Sequence, residues 1–164
     1  MAEDPIFEKA MQRAFRLLAL RARSTKEIRT KLRERGFEEP VVRRVIANLA
    51  KREYLDDTAF AREWARHLAV NRHYGSRRIE SSLLEKGIPR EVISETLAAL
   101  REERPERDVL KAFIAKKLKG RRIGELDRKE KRRLAQSLMG KGFPAGLIFE
   151  VLRIQEEGTF DERE

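Results

Sequence analysis

The residues able to do chemistry in this chain are few, and their spacing argues against a catalytic site. His67 and His73 are six residues apart, which does not put them on one helical face for shared metal binding. Met139-Gly140-Lys141-Gly142 contains a Gly-Lys pair but lacks the upstream glycine and the following Ser or Thr of a phosphate-binding loop, so it reads as a helix end. Asp56 and Asp57 precede an apolar-periodic stretch, where a helix cap and a partner for the helix dipole account for both without a shared acid/base pocket. Cysteine is absent from the 164 residues, which excludes thiol nucleophiles, disulfides and thiolate zinc sites. No enzyme activity, cofactor or metal is expected.

Charge is the more informative chemistry. Lysine and arginine number 38 against 28 acids, for a net charge of +10. Residues 9–35 hold ten bases and two acids, residues 111–133 hold eleven and three, and residues 62–78 hold five and one. By contrast, residues 79–110 sum to −3 and the tail from Glu156 to −4. Such segregated basic stretches suit a phosphate backbone or an acidic protein groove, although single bases are explained equally well as solvated helix faces. Arg35, Lys86 and Lys141 sit in last helical turns, where the dipole favours cations. Arg77 and Arg78 follow Gly75 and Ser76 and so fall in a first turn, where the dipole disfavours them.

The binding candidates are therefore Arg72, Tyr74, Arg77, Arg78, Lys116, Lys117, Lys119, Arg121, Arg122, Arg132 and Arg133. Tyr74 has two readings, a staple over Ile79 or an exposed ring beside Arg77 that stacks on a base. The loop Gly120–Leu126 offers two glycines for close backbone approach. Trp64, Tyr54 and Phe60 are assigned to core packing.

These residues must be positioned by helices. Apolar residues recur at three- and four-residue spacing, predicting helices over 6–22, 24–35, 39–52, 57–73, 76–86, 89–103, 105–119, 127–141 and 144–156. Ser24 with Glu27 and Asp127 with Glu130 form capping boxes, and Pro89, Pro105 and Pro144 suit first-turn positions. Gly36, Gly87 and Gly142 recur at spacings of 51 and 55. Each has an apolar residue four and eight positions before it (Leu32 and Ile28, Leu83 and Ile79, Leu138 and Leu134), a base just before it and a large apolar residue just after. The repeat is thus a three-helix unit whose glycine ends the middle helix in a left-handed conformation.

The expected fold is all-α: three tandem three-helix, helix-turn-helix-like repeats stacked into an elongated, curved molecule, with a compact bundle as the alternative. The expected bounds are 1–55, 56–104 and 105–156, followed by an acidic disordered tail over 157–164. No stretch approaches the ~18 apolar residues of a membrane span and the acidic first residues do not form a signal peptide, so a cytoplasmic protein without membrane contact is expected.

Taken together, Tyr54-Leu55-Asp56-Asp57-x-x-Phe60-Ala61, Gly75-x-x-Arg78-Ile79, Leu83-x-x-Lys86-Gly87-Ile88, Ser24-x-x-Glu27-Ile28 and Leu32-x-x-Arg35-Gly36-Phe37 resemble the bacterial regulatory family RecX. The resemblance runs from about Ala14 to Leu152, with the third unit keeping Lys141-Gly142-Phe143 after a long basic insertion. It implies three tandem three-helix repeats and a modulator of the RecA recombinase. Such a modulator binds in the groove of the RecA filament on single-stranded DNA and lowers strand exchange, ATP hydrolysis and coprotease activity. A monomer that touches RecA and single-stranded DNA is the implied arrangement. The residues alone leave open a sequence-independent nucleic-acid-binding module and a helical adaptor that binds no DNA.

Overall fold

The computed structural model describes residues 4–153, so the predicted acidic tail over 157–164 lies outside the described residues. Among the described residues there are nine α-helices and no strand. They are α1 Pro5–Leu20, α2 Thr25–Glu34, α3 Glu39–Lys51, α4 Asp57–Asn71, α5 Ser76–Glu85, α6 Arg90–Glu103, α7 Glu106–Leu118, α8 Arg128–Gly140 and α9 Ala145–Leu152, with a short 3₁₀ turn Ile123–Glu125 between α7 and α8. Each apolar periodicity in the sequence therefore became a helix.

Both capping boxes form. Ser24 accepts from the Glu27 N–H while Glu27 accepts from the Ser24 N–H, and Asp127 and Glu130 do the same for α8. Pro105 and Pro144 stand one residue earlier than expected, at the N-caps of α7 and α9. Their fixed φ is combined there with an extended ψ of 130° and 138°, so each proline leads into the helix from outside. Pro89 likewise immediately precedes α6. The three repeat glycines have φ of +86°, +77° and +91°, and the residue after each closes the helix end. Phe37 N–H donates to the Leu32 carbonyl, Ile88 to Leu83 and Phe143 to Leu138, the long bond of a Schellman turn.

By compactness the chain divides into residues up to 66 with 81–98, and residues 67–80 with those from 99 onward. The division cuts through α4, α5 and α6, so the compact units do not follow the repeats. In the first unit Ala10, Met11, Ala14 and Leu17 of α1 pack with Ile28 and Leu32 of α2 and Val42, Val45 and Leu49 of α3. In the second, Leu110, Phe113 and Ile114 of α7 pack with Leu134, Ala135 and Leu138 of α8 and Ile148, Val151 and Leu152 of α9, around Phe143.

Of the three aromatics assigned to the core, only Phe60 is fully buried. Tyr54 is 54% exposed and meets Phe15 edge to face. It falls in the turn after α3, where its neighbour Leu55 takes the buried position instead. Trp64 is half-buried and lies under two cations.

Candidate functional site

The binding candidates fall on two different kinds of surface. In the first unit the turn after α5 meets the start of α2. Ser24 Oγ–H donates to the Lys86 carbonyl at 2.7 Å, and Thr25 N–H donates to Asp57 Oδ1 at 2.8 Å. Lys86 Nζ reaches Glu27 at 2.7 Å and lies 5.0 Å from the centre of the Trp64 ring, with the Arg21 guanidinium 5.8 Å from the same ring. Trp64 Nε1–H in turn donates to Ser82 Oγ at 2.9 Å. An exposed helix end has become a capped, charge-paired joint.

The second unit repeats this joint with different side chains. Gly75 N–H donates to the Lys141 carbonyl at 2.8 Å, and Ser76 N–H donates to Glu106 Oε1 at 2.7 Å. Lys141 Nζ donates to the Arg72 carbonyl at 3.3 Å and lies 5.4 Å from the rings of both Tyr74 and Phe113. Gly75 stands 51 positions after Ser24, Glu106 and Phe113 stand 49 after Asp57 and Trp64, and Lys141 stands 55 after Lys86. The change from 49 to 55 is the six-residue insertion between α7 and α8.

Several candidate residues thus belong to the joint. Arg78 donates to the Gly140 carbonyl at 2.9 Å and its guanidinium lies 4.1 Å from the Tyr74 ring centre. The cation misplaced for the dipole of its own helix is matched to the carbonyl end of α8. Tyr74 is half-buried, with the Arg78 guanidinium and the Lys141 ammonium against its ring. His73 lies outside α4 with φ +53° and stacks on Phe113 at 5.2 Å. Burial, then Lys116 and Lys141, hold its imidazole below the ordinary value.

The remaining candidates lie on the surface. Lys117 donates to Ser137 Oγ, and Arg121 pairs with Glu130 through both of its terminal nitrogens, at 2.9 and 3.3 Å. Arg77 and Arg132 are exposed. The side chains of Arg72, Lys116, Lys119, Arg122 and Arg133 are exposed, without an ion pair or side-chain hydrogen bond among the described residues. Lys116 lies in the last turn of α7, Lys119 is its C-cap, and Arg122 follows in the insertion. Lys119, at φ +48°, and Gly120, at φ +93°, turn the chain there, and nothing would obstruct a side chain at Gly120 or Gly124. Among the described residues no group of three His, Asp or Glu is placed to hold a metal, and Asp56 is a cap, accepting from the Thr58 and Ala59 N–H groups.

Sequence reasoning missed the joints because it treated Lys86 and Lys141 as dipole partners only. The signal was available, since aligning the repeats puts an acid, an aromatic and a lysine in register in the second and third. Glu27 supplies a test of the first joint. Burial pushes its carboxyl up, but hydrogen bonds from Arg21, Lys86 and the Ser24 N–H outweigh it and hold the group at about 2, against an ordinary 4.5. A carboxyl lowered on folding stabilises the protein above its unfolded value, and that stability fades as pH falls from 4.5 toward 2. With Glu27 13% exposed, Glu27→Gln is expected to cost about 2 kcal/mol at pH 7 after allowance for screening, and almost nothing near pH 2. Urea melts of both proteins across that range check the loss.

Comparison with known proteins resolves the family. Residues 10–49, 56–97 and 106–152 match the models of the first, second and third three-helix domains of RecX. The chain belongs to the RecX family. The regulatory protein RecX of Mycobacterium sp. (strain KMS) is 33% identical over 159 residues, covering 95% of this chain and 86% of that protein. The regulatory protein RecX of Thermus thermophilus is 36% identical over 151 residues, covering 92% and 95%. A solved RecX from Lactobacillus salivarius superposes with a TM-score of 0.77 over 91% of this chain and 96% of that one, at 23% identity, and so bears on fold alone. A second solved regulatory protein RecX gives 0.74 at 25% identity, over 92% and 72%. RecX membership makes the architecture three tandem three-helix repeats, α1–α3, α4–α6 and α7–α9, and places the chain among regulatory proteins. Among the described residues no helix is long and apolar enough to cross a membrane.

Proposed function

We propose that this chain regulates the RecA recombinase by lying along the filament that RecA forms on single-stranded DNA, lowering its ATP hydrolysis, strand exchange and coprotease activity. It acts in the cytoplasm on homologous recombination and the SOS response. The repeats run over 1–55, 56–104 and 105–156, and the monomer works through surface charge, with no bond made or broken. The observation that carries this reading, beside the family, is the set of candidate cations whose side chains make no ion pair or hydrogen bond among the described residues: Lys116, Lys119 and Arg122 around the end of α7, with Arg72 and Arg133 elsewhere in the same unit. These are suited to phosphate oxygens or to acidic side chains on the filament. Repeats that touch successive RecA subunits gain from effective concentration, because the second and third contacts become intramolecular. Filament is therefore preferred over free RecA.

The test is the rate of single-strand-DNA-dependent ATP hydrolysis by RecA as this protein is titrated in, beside its own DNA affinity at two salt concentrations. Inhibition is expected well below the RecA concentration, with DNA sites in excess. Salt-sensitive DNA binding without inhibition would instead make the chain a nucleic-acid-binding module.

A further inference from the structure

The two joints follow one rule, and the rule leaves one turn unmatched in the first repeat. In each joint the glycine turn that ends the second helix of one repeat offers backbone carbonyls to the N-terminal turn of the second helix in the preceding repeat. Lys86 O takes the Ser24 hydroxyl, while Lys141 O and Gly142 O take the Gly75 and Arg77 amides. The approach is close enough that a Cβ on Gly87 would lie 2.6 Å from Lys26, and one on Gly142 would lie 2.5 Å from the Arg78 backbone nitrogen.

Arg35-Gly36-Phe37 is the same turn in the first repeat, with the same left-handed glycine and the same bond from Phe37 to Leu32. Nothing lies within 4 Å of a Cβ built on Gly36. The Arg35 and Gly36 carbonyls accept no backbone hydrogen bond among the described residues, and both residues are exposed.

The residues in register with the other joint positions differ in a directed way. Arg13 stands 51 positions before Trp64, and its Nε is buried without a partner among the described residues. Ile6 stands 51 before Asp57 and is 57% exposed. Where the later repeats have a lysine, an aromatic ring and an acid, the first has Arg35, Arg13 and an open apolar residue, Ile6, at the corresponding positions. In the first joint the docked helix supplies Glu27 to Lys86, so the chemistry asked of an occupant is a carboxylate in its first turn.

We infer that the turn Arg35–Phe37, with Arg13 and Ile6, is a docking surface for the N-terminal turn of an α-helix in a partner protein, one that carries a small or hydroxyl cap residue and a carboxylate three positions on. Backbone carbonyls receive its first amides and cap, Arg35 and Arg13 receive its carboxylate, and Ile6 covers an apolar side chain in place of the usual acid. A second copy of this chain is a poor occupant. The first turns of α2 and α5 are already engaged, and α8 starts from a cap 15 residues before its glycine, against 12 for Ser24 and Gly75. Its added turn also brings Arg128 and Lys129, which repel Arg35.

The probe is a peptide of residues 22–35 of this chain, locked as a helix by a hydrocarbon bridge replacing the exposed Thr30 and Glu34. It is titrated into the isotope-labelled full chain while amide signals are followed. Saturable shifts at Arg35, Gly36 and Phe37 are expected, with none from a peptide carrying Ser24→Leu and Glu27→Lys. The exposed Arg35→Glu chain, with an unchanged melting temperature, is expected to bind the first peptide about tenfold more weakly, as for loss of one charged contact. The absence of shifts, equal shifts from the altered peptide, or unchanged binding by Arg35→Glu each overturns the assignment. If dilution of the chain alone moves the same signals and sedimentation shows dimers, the occupant is a second copy and the inference falls.

Discussion

Gly142→Ala is expected to destabilise the protein by about 3 kcal/mol, while Gly36→Ala costs about 1, although both glycines end a helix in the same left-handed turn. The shared part is conformational, since φ of +91° and +86° strains any residue with a Cβ. The difference is packing. A Cβ on Gly142 lies 2.5 Å from the Arg78 backbone nitrogen, where no flexible chain end can yield, whereas one on Gly36 meets nothing within 4 Å. Gly75→Ala attacks the same joint from the other side, with its Cβ 2.5 Å from the Gly142 carbonyl. Hydrogen exchange localises the damage: amide protection at Gly75, Ser76 and Arg77 drops in both joint variants and stays unchanged in Gly36→Ala. Equal losses at positions 142 and 36 would mean that the close approach carries no energy.

How much was legible beforehand follows from which interactions are local. Helix periodicity, the Ser24 and Asp127 capping boxes and the Schellman turns are written within a few residues, and all of them formed as expected. Pro105 and Pro144 shifted by one position because the same fixed φ serves an N-cap and a first turn alike, and only the preceding fold decides between them. Tyr54 was misplaced because one turn of apolar spacing does not say which of Tyr54 and Leu55 points inward. The joints depend on residues such as Ser24 and Lys86, 62 positions apart. No single helix pattern carries that information, but comparison of the repeats does. The Arg77-Arg78 pair shows the limit from the other side: sequence marked it as a broken dipole rule, and the fold supplies a carbonyl end of α8 that satisfies Arg78. A violation seen in one helix is therefore a pointer to whatever touches that helix, inside the molecule or outside it.

That distinction chooses the residues for the remaining large effect. Reversing Arg78 would damage the joint and weaken any activity for structural reasons. Lys116, Lys119 and Arg122 side chains bond to nothing among the described residues. Their joint reversal, Lys116→Glu, Lys119→Glu and Arg122→Glu, is expected to leave the melting temperature within about 3 °C, because exposed unpaired charges contribute little to stability. If these bases meet phosphates of the single strand, removing each base lowers the slope of log affinity against log salt by about 0.7, so the triple variant should lower it by about 2 and abolish most RecA inhibition at physiological salt. Two titrations, of DNA binding and of RecA ATP hydrolysis, separate the outcomes. Loss of inhibition with an unchanged DNA salt slope assigns this face to acidic groups on RecA. Loss of both assigns it to the enclosed strand, and loss of neither removes the face from the mechanism, leaving filament contact to the first unit and its basic helices.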